Sequence, residues 1–332
     1  MTSQANVANP AAAIQTHALA KGYRATQALH PLTLTVPQGA VFALVGHNGA
    51  GKTTLIKLLM NMIHPTSGSA TILGKDTITL NGEDFTRIGY ASENQELPDW
   101  MTVGQFLSYL KGFYPTWDDA ALVQQLELPL NRKLKHLSRG MLMKAALASI
   151  LAFQPSLILL DEPFSGLDPL VRDELIEALM SRVNPRSLAA GEALAAKPQS
   201  PRPTILISSH DLAEVESFAT HIGFLHQGHL LFAEEMTSLT TRFREITLTA
   251  APGETLTQAT SPPESWLLLE STLTAARFTH IHADTEPVAA QVAAVFPTPG
   301  PLALHAAPMT LRAIFLALAK SGRTPSAPTL AA

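Results

Sequence analysis

An α/β protein built on a largely parallel sheet is the expectation from this sequence, and three observations carry it. Short apolar runs at residues 40–45 and 157–160, and a strand-like stretch at 204–209, have the length of buried strands. Helical spacing of apolar residues fills the stretches 102–127 and 139–153 that lie between them. Strand and helix patterns alternating in this way argue for a parallel sheet with helices packed on it.

The elements follow in chain order. Residues 1–13 are small and polar, then Ala-rich, and read as a disordered tail. From Ile14 to about Leu73 the pattern is mostly β-like runs with turn signals. The run at 32–36 ends in the turn Pro37-Gln38-Gly39, and 40–45 reads as a buried strand. A glycine-rich stretch comes next, and then an apolar helix over 53–63. Within 102–127, Val103, Phe106, Leu107 and Leu110 recur on one helical face. The apolar run 157–160 stops at Asp161-Glu162-Pro163, and the run 204–209 stops at His210. Residues 183–203 are rich in Ala, Pro and Ser and read as a flexible surface insertion. Beyond about residue 245 the composition shifts, since 251–332 holds 10 of the 24 prolines. Apolar runs at 266–269 and 311–319 remain there, so a small C-terminal α/β domain is expected, with a loose tail from Ser321.

Composition narrows the function classes. A chain of 332 residues has room for roughly two domains and a sizeable core. At 46% hydrophobic and 15% charged it is globular rather than disordered. Lys and Arg number 23 against 27 Asp and Glu, a net charge of -4, which disfavours a strongly basic nucleic-acid binder. The absence of cysteine excludes disulfides, thiolate metal sites and cysteine nucleophiles, and fits a reducing compartment. The first Lys is Lys21, with no positive cluster before an apolar stretch, which argues against a secretory signal. The longest apolar candidate, 141–153, is interrupted by Lys144 and Ser149 and falls short of the roughly 18 residues a membrane helix needs. A soluble, cytoplasmic protein is the expectation.

The glycine-rich stretch is a phosphate motif. Gly46-His47-Asn48-Gly49-Ala50-Gly51-Lys52-Thr53 fits G-x-x-x-x-G-K-[ST] between a strand and a helix, the context such a P-loop requires. Glycines let successive N–H groups turn inward round a phosphate, and the helix N-terminus adds its dipole and free donors. Lys52 supplies a point charge between the β- and γ-phosphates, and the Thr53 hydroxyl ligates Mg²⁺. Asp161, about 110 residues further on at the end of an apolar strand, is placed to hold Mg²⁺. Glu162 is placed to polarise an attacking water as a general base.

With these residues in hand, the sequence resembles the ATP-binding subunits of ABC transporters over about residues 14–240. Tyr23 lies 23 residues before Gly46, where the family places an aromatic that stacks on adenine. Leu137-Ser138-Arg139-Gly140-Met141 stands where the family signature is Leu-Ser-Gly-Gly-Gln. Pro163-Phe164-Ser165-Gly166-Leu167-Asp168 continues the Asp-Glu pair as the D-loop does, and His210, in Ile207-Ser208-Ser209-His210-Asp211, matches the switch histidine. Two motifs depart. The Gln of the Q-loop is Glu93, with Thr102 and Val103 nine and ten residues beyond it, and Gln95 is out of register. In the signature, Arg139 replaces a Gly and Met141 replaces the Gln. Arg139 either adds a cation to the phosphate, like an arginine finger, or obstructs close backbone approach.

The resemblance implies a P-loop NTPase with a mostly parallel sheet, a small antiparallel β subdomain and a helical subdomain at about 95–155. These make up an ATP-binding domain over 14–240, followed by an accessory domain at 241–320 and a tail at 321–332. It implies ATP and Mg²⁺ as ligands. Glu162 and His210 would be catalytic, and Tyr23 with Gly46, His47, Asn48, Gly49, Ala50, Gly51, Lys52, Thr53 and Thr54 would bind nucleotide. Ser138, Arg139 and Gly140 would act in trans on the ATP of a second subunit, and Asp168 would link the two sites. Thr53, Asp161 and Glu93 would form the metal set. The implied partners are a second ATP-binding subunit and a separate transmembrane permease, at the inner face of the membrane, with no nucleic acid. Leu97, Pro98, Trp100 and Met101 form the expected docking surface. Residues 309–315 are similar to the closing helix of exporter-type subunits, which favours export. The alternatives are a soluble ABC ATPase of DNA repair or translation, and a weakly hydrolysing regulatory subunit. His280, His282 and His305 read as scattered surface histidines.

Overall fold

The computed structural model describes residues 12–24, 26–183, 202–256, 261–297 and 302–321. The insertion expected at 183–203 and the two tails fall almost wholly outside the described residues. Two compact units are present: one runs to Asp211 and includes Phe218–Leu230, and the other holds Leu212–Ser217 and the chain from Leu231 onward.

In the first unit, β1 (Ala12–Tyr23) and β2 (Thr26–Pro37) pair antiparallel, with Ile14 opposite Val36 and Leu19 opposite Leu32. β3 (Val41–Val45) is buried at every position, as a strand covered on both faces must be. α1 (Lys52–Leu59) begins at the glycine-rich loop. It stops short of the expected 63 because Asn61 turns into the left-handed region at φ +53. β4 (Ser67–Ile72) and β5 (Lys75–Asp76) complete an antiparallel sheet of order β2-β1-β4-β5. α2 (Gly82–Phe85), opened by a capping box of Asn81 and Asp84, leads into β6 (Ile88–Ser92).

The helical stretch expected over 102–127 is two helices, α3 (Val103–Lys111) and α4 (Ala120–Gln125). Gly112 terminates the first, and Pro115, with no N–H to donate, stands in the gap. Thr102 and Gln105 cap the start of α3 reciprocally. α5 (Arg139–Ala152) starts at Ser138, whose hydroxyl accepts the N–H of Met141 at 3.3 Å. Tyr114, from the gap after α3, stacks on Phe153 at the end of α5 with ring centroids 3.9 Å apart.

β7 (Leu157–Asp161) is followed by α6 (Pro169–Val183), β8 (Thr204–Ser209), α7 (Leu212–Glu216) and β9 (His221–His226). The parallel sheet runs β9-β3-β8-β7-β6. Its register matters most. Val45 lies opposite Ser209, Asp161 opposite Ser208, and Ser92 opposite Asp161. Four strands therefore end nearly level, and the residue after each end emerges at one edge of the sheet.

β10 (His229–Glu235) carries the chain into the second unit. There α8 (Met236–Arg242), β11 (Arg244–Ala250), β12 (Trp266–Ser271), β13 (Ala275–His280), α9 (Val288–Val295), β14 (Leu302–Pro308) and α10 (Leu311–Ser321) follow. Its sheet is antiparallel, in the order β12-β13-β11-β14. Ile246, Leu248, Phe278, Val292 and Phe296 form its core, with Trp266 stacked on Phe278 at 3.7 Å. Arg242 grips Glu234 through two hydrogen bonds of 2.8 and 2.5 Å, both residues being buried, and gives a third to the Ile281 carbonyl at 3.0 Å. The backbone N–H of Leu311, at the start of α10, donates to Glu216 of α7 at 3.4 Å. His280 corrects the surface reading of this segment's histidines: it is fully buried, and its Nε2 lies 2.8 Å from Gln291 Oε1. No helix among the described residues is long and apolar enough to cross a membrane.

Candidate functional site

The strand ends gather the chemistry. Gly46 follows Val45, Glu93 follows Ser92, Glu162 follows Asp161 and His210 follows Ser209. The register is carried one residue further by backbone bonds: Gly46 N–H donates to Ser209 O at 3.3 Å, and Glu93 N–H donates to Asp161 O at 3.0 Å. A cleft of about 530 Å³ opens at this edge, lined by Ala28, residues 48–54, Glu93, Glu162, Ser165 and His210.

The loop before α1 is shaped by two glycines. A Cβ on Gly46 would come within 2.2 Å of Leu225 O, so only glycine fits. Gly51 has φ +107, and a Cβ there would sit 2.7 Å from Ala28 O. Gly51 is the N-cap of α1 and supplies no side-chain oxygen to the first-turn amides. Those N–H groups are free of the capping partner that Ser, Thr or Asp would provide, which leaves an anion-binding helix start.

Lys52 is buried, and its ammonium donates to the Gly46 and His47 carbonyls at 2.5 and 3.1 Å. It also pairs with Glu162 Oε1 at 3.0 Å. The other Glu162 oxygen lies 2.7 Å from His210 Nδ1. Glu162 adopts φ +52, a left-handed conformation costly for a residue with a Cβ, and its side chain reaches both Lys52 and His210. Beside it, Asp161 Oδ1 accepts hydrogen bonds from Thr53 Oγ1 at 3.1 Å and Ser208 Oγ at 2.7 Å. Ser208 Oγ also accepts the Glu162 N–H at 2.9 Å. Ser208 is not among the expected site residues. Its signal in the sequence is a hydroxyl two residues before His210, at the end of a strand-like stretch.

Asn48, Gly49, Ala50, Gly51, Lys52, Thr53, Thr54, Glu93, Glu162 and His210 thus come together at the cleft. Gly46 and His47 sit just behind them as acceptors for Lys52. Tyr23 does not line the cleft: it ends β1, is 47% exposed, and has the Lys21 ammonium over its ring. Ser138, Arg139 and Gly140 open α5 outside the cleft lining, with Gly140 close to Val171 of α6. Asp168 is exposed directly before α6, whose first residue is Pro169. The two charged residues among the positions that depart from the family pattern meet each other, since the Arg139 guanidinium pairs with the Glu93 carboxylate.

A family profile described as ABC transporter matches residues 29–165. The chain is 34% identical over 256 residues to an uncharacterised ABC transporter ATP-binding protein of Nostoc sp., covering 71% of this chain and 70% of that protein. It is 32% identical over 223 residues to the bacitracin transport ATP-binding protein BcrA of Bacillus licheniformis, over 66% of this chain and 68% of the relative. Among solved structures, an ATP-binding subunit of an ABC transporter superposes with a TM-score of 0.59 at 26% identity, over 69% of this chain and 92% of that one. ABC ATP-binding domains hydrolyse ATP. Identity of this order over more than two thirds of a relative identifies the chain as a member of the ABC transporter ATP-binding protein family.

Proposed function

We propose that this protein is the ATP-hydrolysing subunit of an exporter whose membrane spans lie on separate chains. The observation that carries the reading is the level ending of β3, β6, β7 and β8, which sets the P-loop, Glu93, Glu162 and His210 round one cleft. The free amides at the start of α1 and the Lys52 ammonium bind the β- and γ-phosphates. Tyr23 stacks on adenine in the bound state. Glu162 orients and deprotonates the attacking water, and His210, already hydrogen-bonded to it, holds the carboxylate and contacts the γ-phosphate. Ser208 fixes both carboxylates by bonding Asp161 and the Glu162 amide.

Thr53 and Asp161 suit Mg²⁺, because a hydroxyl and a carboxylate oxygen already converge at 3.1 Å and both are hard donors. When bound, Mg²⁺ would neutralise charge on the phosphates. Glu93 faces Arg139 instead, so a place in the metal set requires that ion pair to open.

One chain carries one P-loop and one signature segment. The working unit is therefore a dimer in which Ser138, Arg139 and Gly140 of one copy face the ATP of the other, with Asp168 between the two sites. Trp100, 67% exposed, and the exposed Tyr109 and Phe113 of the α3 region support a docking face for a permease helix. The bacitracin transport relative supports a transport role, and the α10 segment supports export. Residues 14–240 form the ATP-binding domain and 241–320 an accessory domain, at the cytoplasmic face of the membrane through the permease.

The test is light scattering on Glu162→Gln protein with ATP and Mg²⁺, together with affinity purification from its native membrane. An ATP-dependent dimer and a co-purifying multi-span protein are expected. A monomer under all conditions with no membrane partner would reject the reading.

A further inference from the structure

Arg139 stands where the physical chemistry is least favourable for it. It is the first residue of α5, and a cation at a helix N-terminus opposes the helix dipole. The structure shows what offsets this: its guanidinium contacts the Glu93 carboxylate across 46 residues of sequence. The same guanidinium lies over the turn at Gly166, where φ is +66 and a Cβ would fall 2.8 Å from Arg139 Nη1. Any other residue at Gly166 would push the side chain off its perch.

Glu93 has its own difficulty. It lines a cleft that already holds Glu162, beside Asp161, with Lys52 the cation in its lining. A further carboxylate there would repel a polyphosphate. Glu162 has Lys52 and His210 as partners, and Asp161 has two hydroxyls, so Arg139 is the cation matched to Glu93. The Glu93 amide is also tied to Asp161 O at 3.0 Å. Main chain and side chain together fasten the segment after β6 between the catalytic strand and the start of α5.

We propose that Arg139 is a positioning residue that holds Glu93 at the cleft wall and cancels its charge, so that the two charged departures from the family pattern are one matched pair within the same chain. The proposal rests on the nucleotide-site reading above. In it, Arg139 does not obstruct the site, and the charge it brings to the dimer face is already balanced by Glu93 of its own chain. It lets a carboxylate occupy a place beside the phosphates. Each residue is harmful without the other, and both can be lost together at less cost than either one.

The experiment is a double-mutant cycle on the full chain: wild type, Glu93→Gln, Arg139→Gly and the double variant, with Arg139→Lys as the conservative control. Two readouts are used: hydrogen exchange of residues 91–101 without nucleotide, and equilibrium binding of ATP with Mg²⁺. With Glu93 in place, Arg139→Gly is expected to speed exchange across this segment and to weaken ATP binding by at least about threefold, within the range of coupling found for side chains in contact. In the Glu93→Gln background the same change is expected to do neither, and Arg139→Lys should recover part of the loss. Equal effects of Arg139→Gly in both backgrounds, or none in either, would overturn the proposal. A wild-type protein that fails to bind ATP would reject the nucleotide site, while the exchange data would still judge the pair.

Discussion

Glu162 and Ser208 show how much of the site depends on single atoms. Glu162 holds a left-handed backbone conformation, and the Ser208 hydroxyl bonds both its amide and the neighbouring Asp161 carboxylate. Replacing Ser208 with Ala removes the acceptor of the Glu162 amide and one of the two hydroxyls on Asp161, leaving Thr53 as the other. A loss of about 1–3 kcal/mol in stability is expected, with slower phosphate release, measured by urea unfolding and an ATPase assay. Gly51→Ala meets a different obstacle, since φ +107 and the Ala28 carbonyl at 2.7 Å leave no room for a methyl group. It should cost about 1–3 kcal/mol in thermal unfolding and abolish ATP binding. The P-loop residues were legible because their constraints are local: glycine spacing, one lysine and one hydroxyl within eight positions. The function of Ser208 was not, because it exists only once β7 and β8 lie in register. The Arg139–Glu93 pair was hidden for the same reason, although opposite charges at two of the three departing positions were a usable signal.

Strands proved easier to read than helix ends. β3 and β7 match their apolar runs closely because a buried parallel strand has no polar face to blur its limits, and β8 matches the stretch expected at 204–209. Apolar spacing continues across 102–127 and favours one helix there, yet Gly112 and Pro115 divide it. The capping box makes α3 a definite start: Thr102→Ala should cost about 1 kcal/mol, seen as a lower midpoint in thermal unfolding. At the end of β13, burial pulls the His280 imidazole below its ordinary value of 6.5, more than its hydrogen bond to Gln291 and the Glu286 carboxylate raise it. The unfolded chain therefore takes up this proton at higher pH than the folded one. Its contribution to stability is full above about pH 6.5 and is lost as pH falls through the lower folded value. Urea unfolding between about pH 7.5 and 5.5 should show this fall, and His280→Gln should flatten it. The histidine pattern alone gave no hint of burial, which arises from the packing of α9 and its Gln291 onto β13.

At the level of the molecule, the first unit has the architecture of a nucleotide-driven engine. A parallel sheet delivers phosphate-binding, acidic and histidine residues to one edge, and Trp100, Tyr109 and Phe113 are exposed. Global composition pointed away from nucleic acid through the net charge of -4. The second unit has its own aromatic core and a buried Arg242–Glu234 pair. Cutting that pair with Arg242→Ala strands a buried carboxylate and should cost about 3–5 kcal/mol, read as early melting of this unit. Everything proposed for the whole chain depends on Glu162 performing the chemistry at the cleft. The deciding measurement is steady-state phosphate release from Glu162→Gln against wild type, with ATP binding measured in parallel. Turnover is expected to drop by about 10²–10⁴-fold with binding retained; a rate within about twofold of wild type would contradict the assignment.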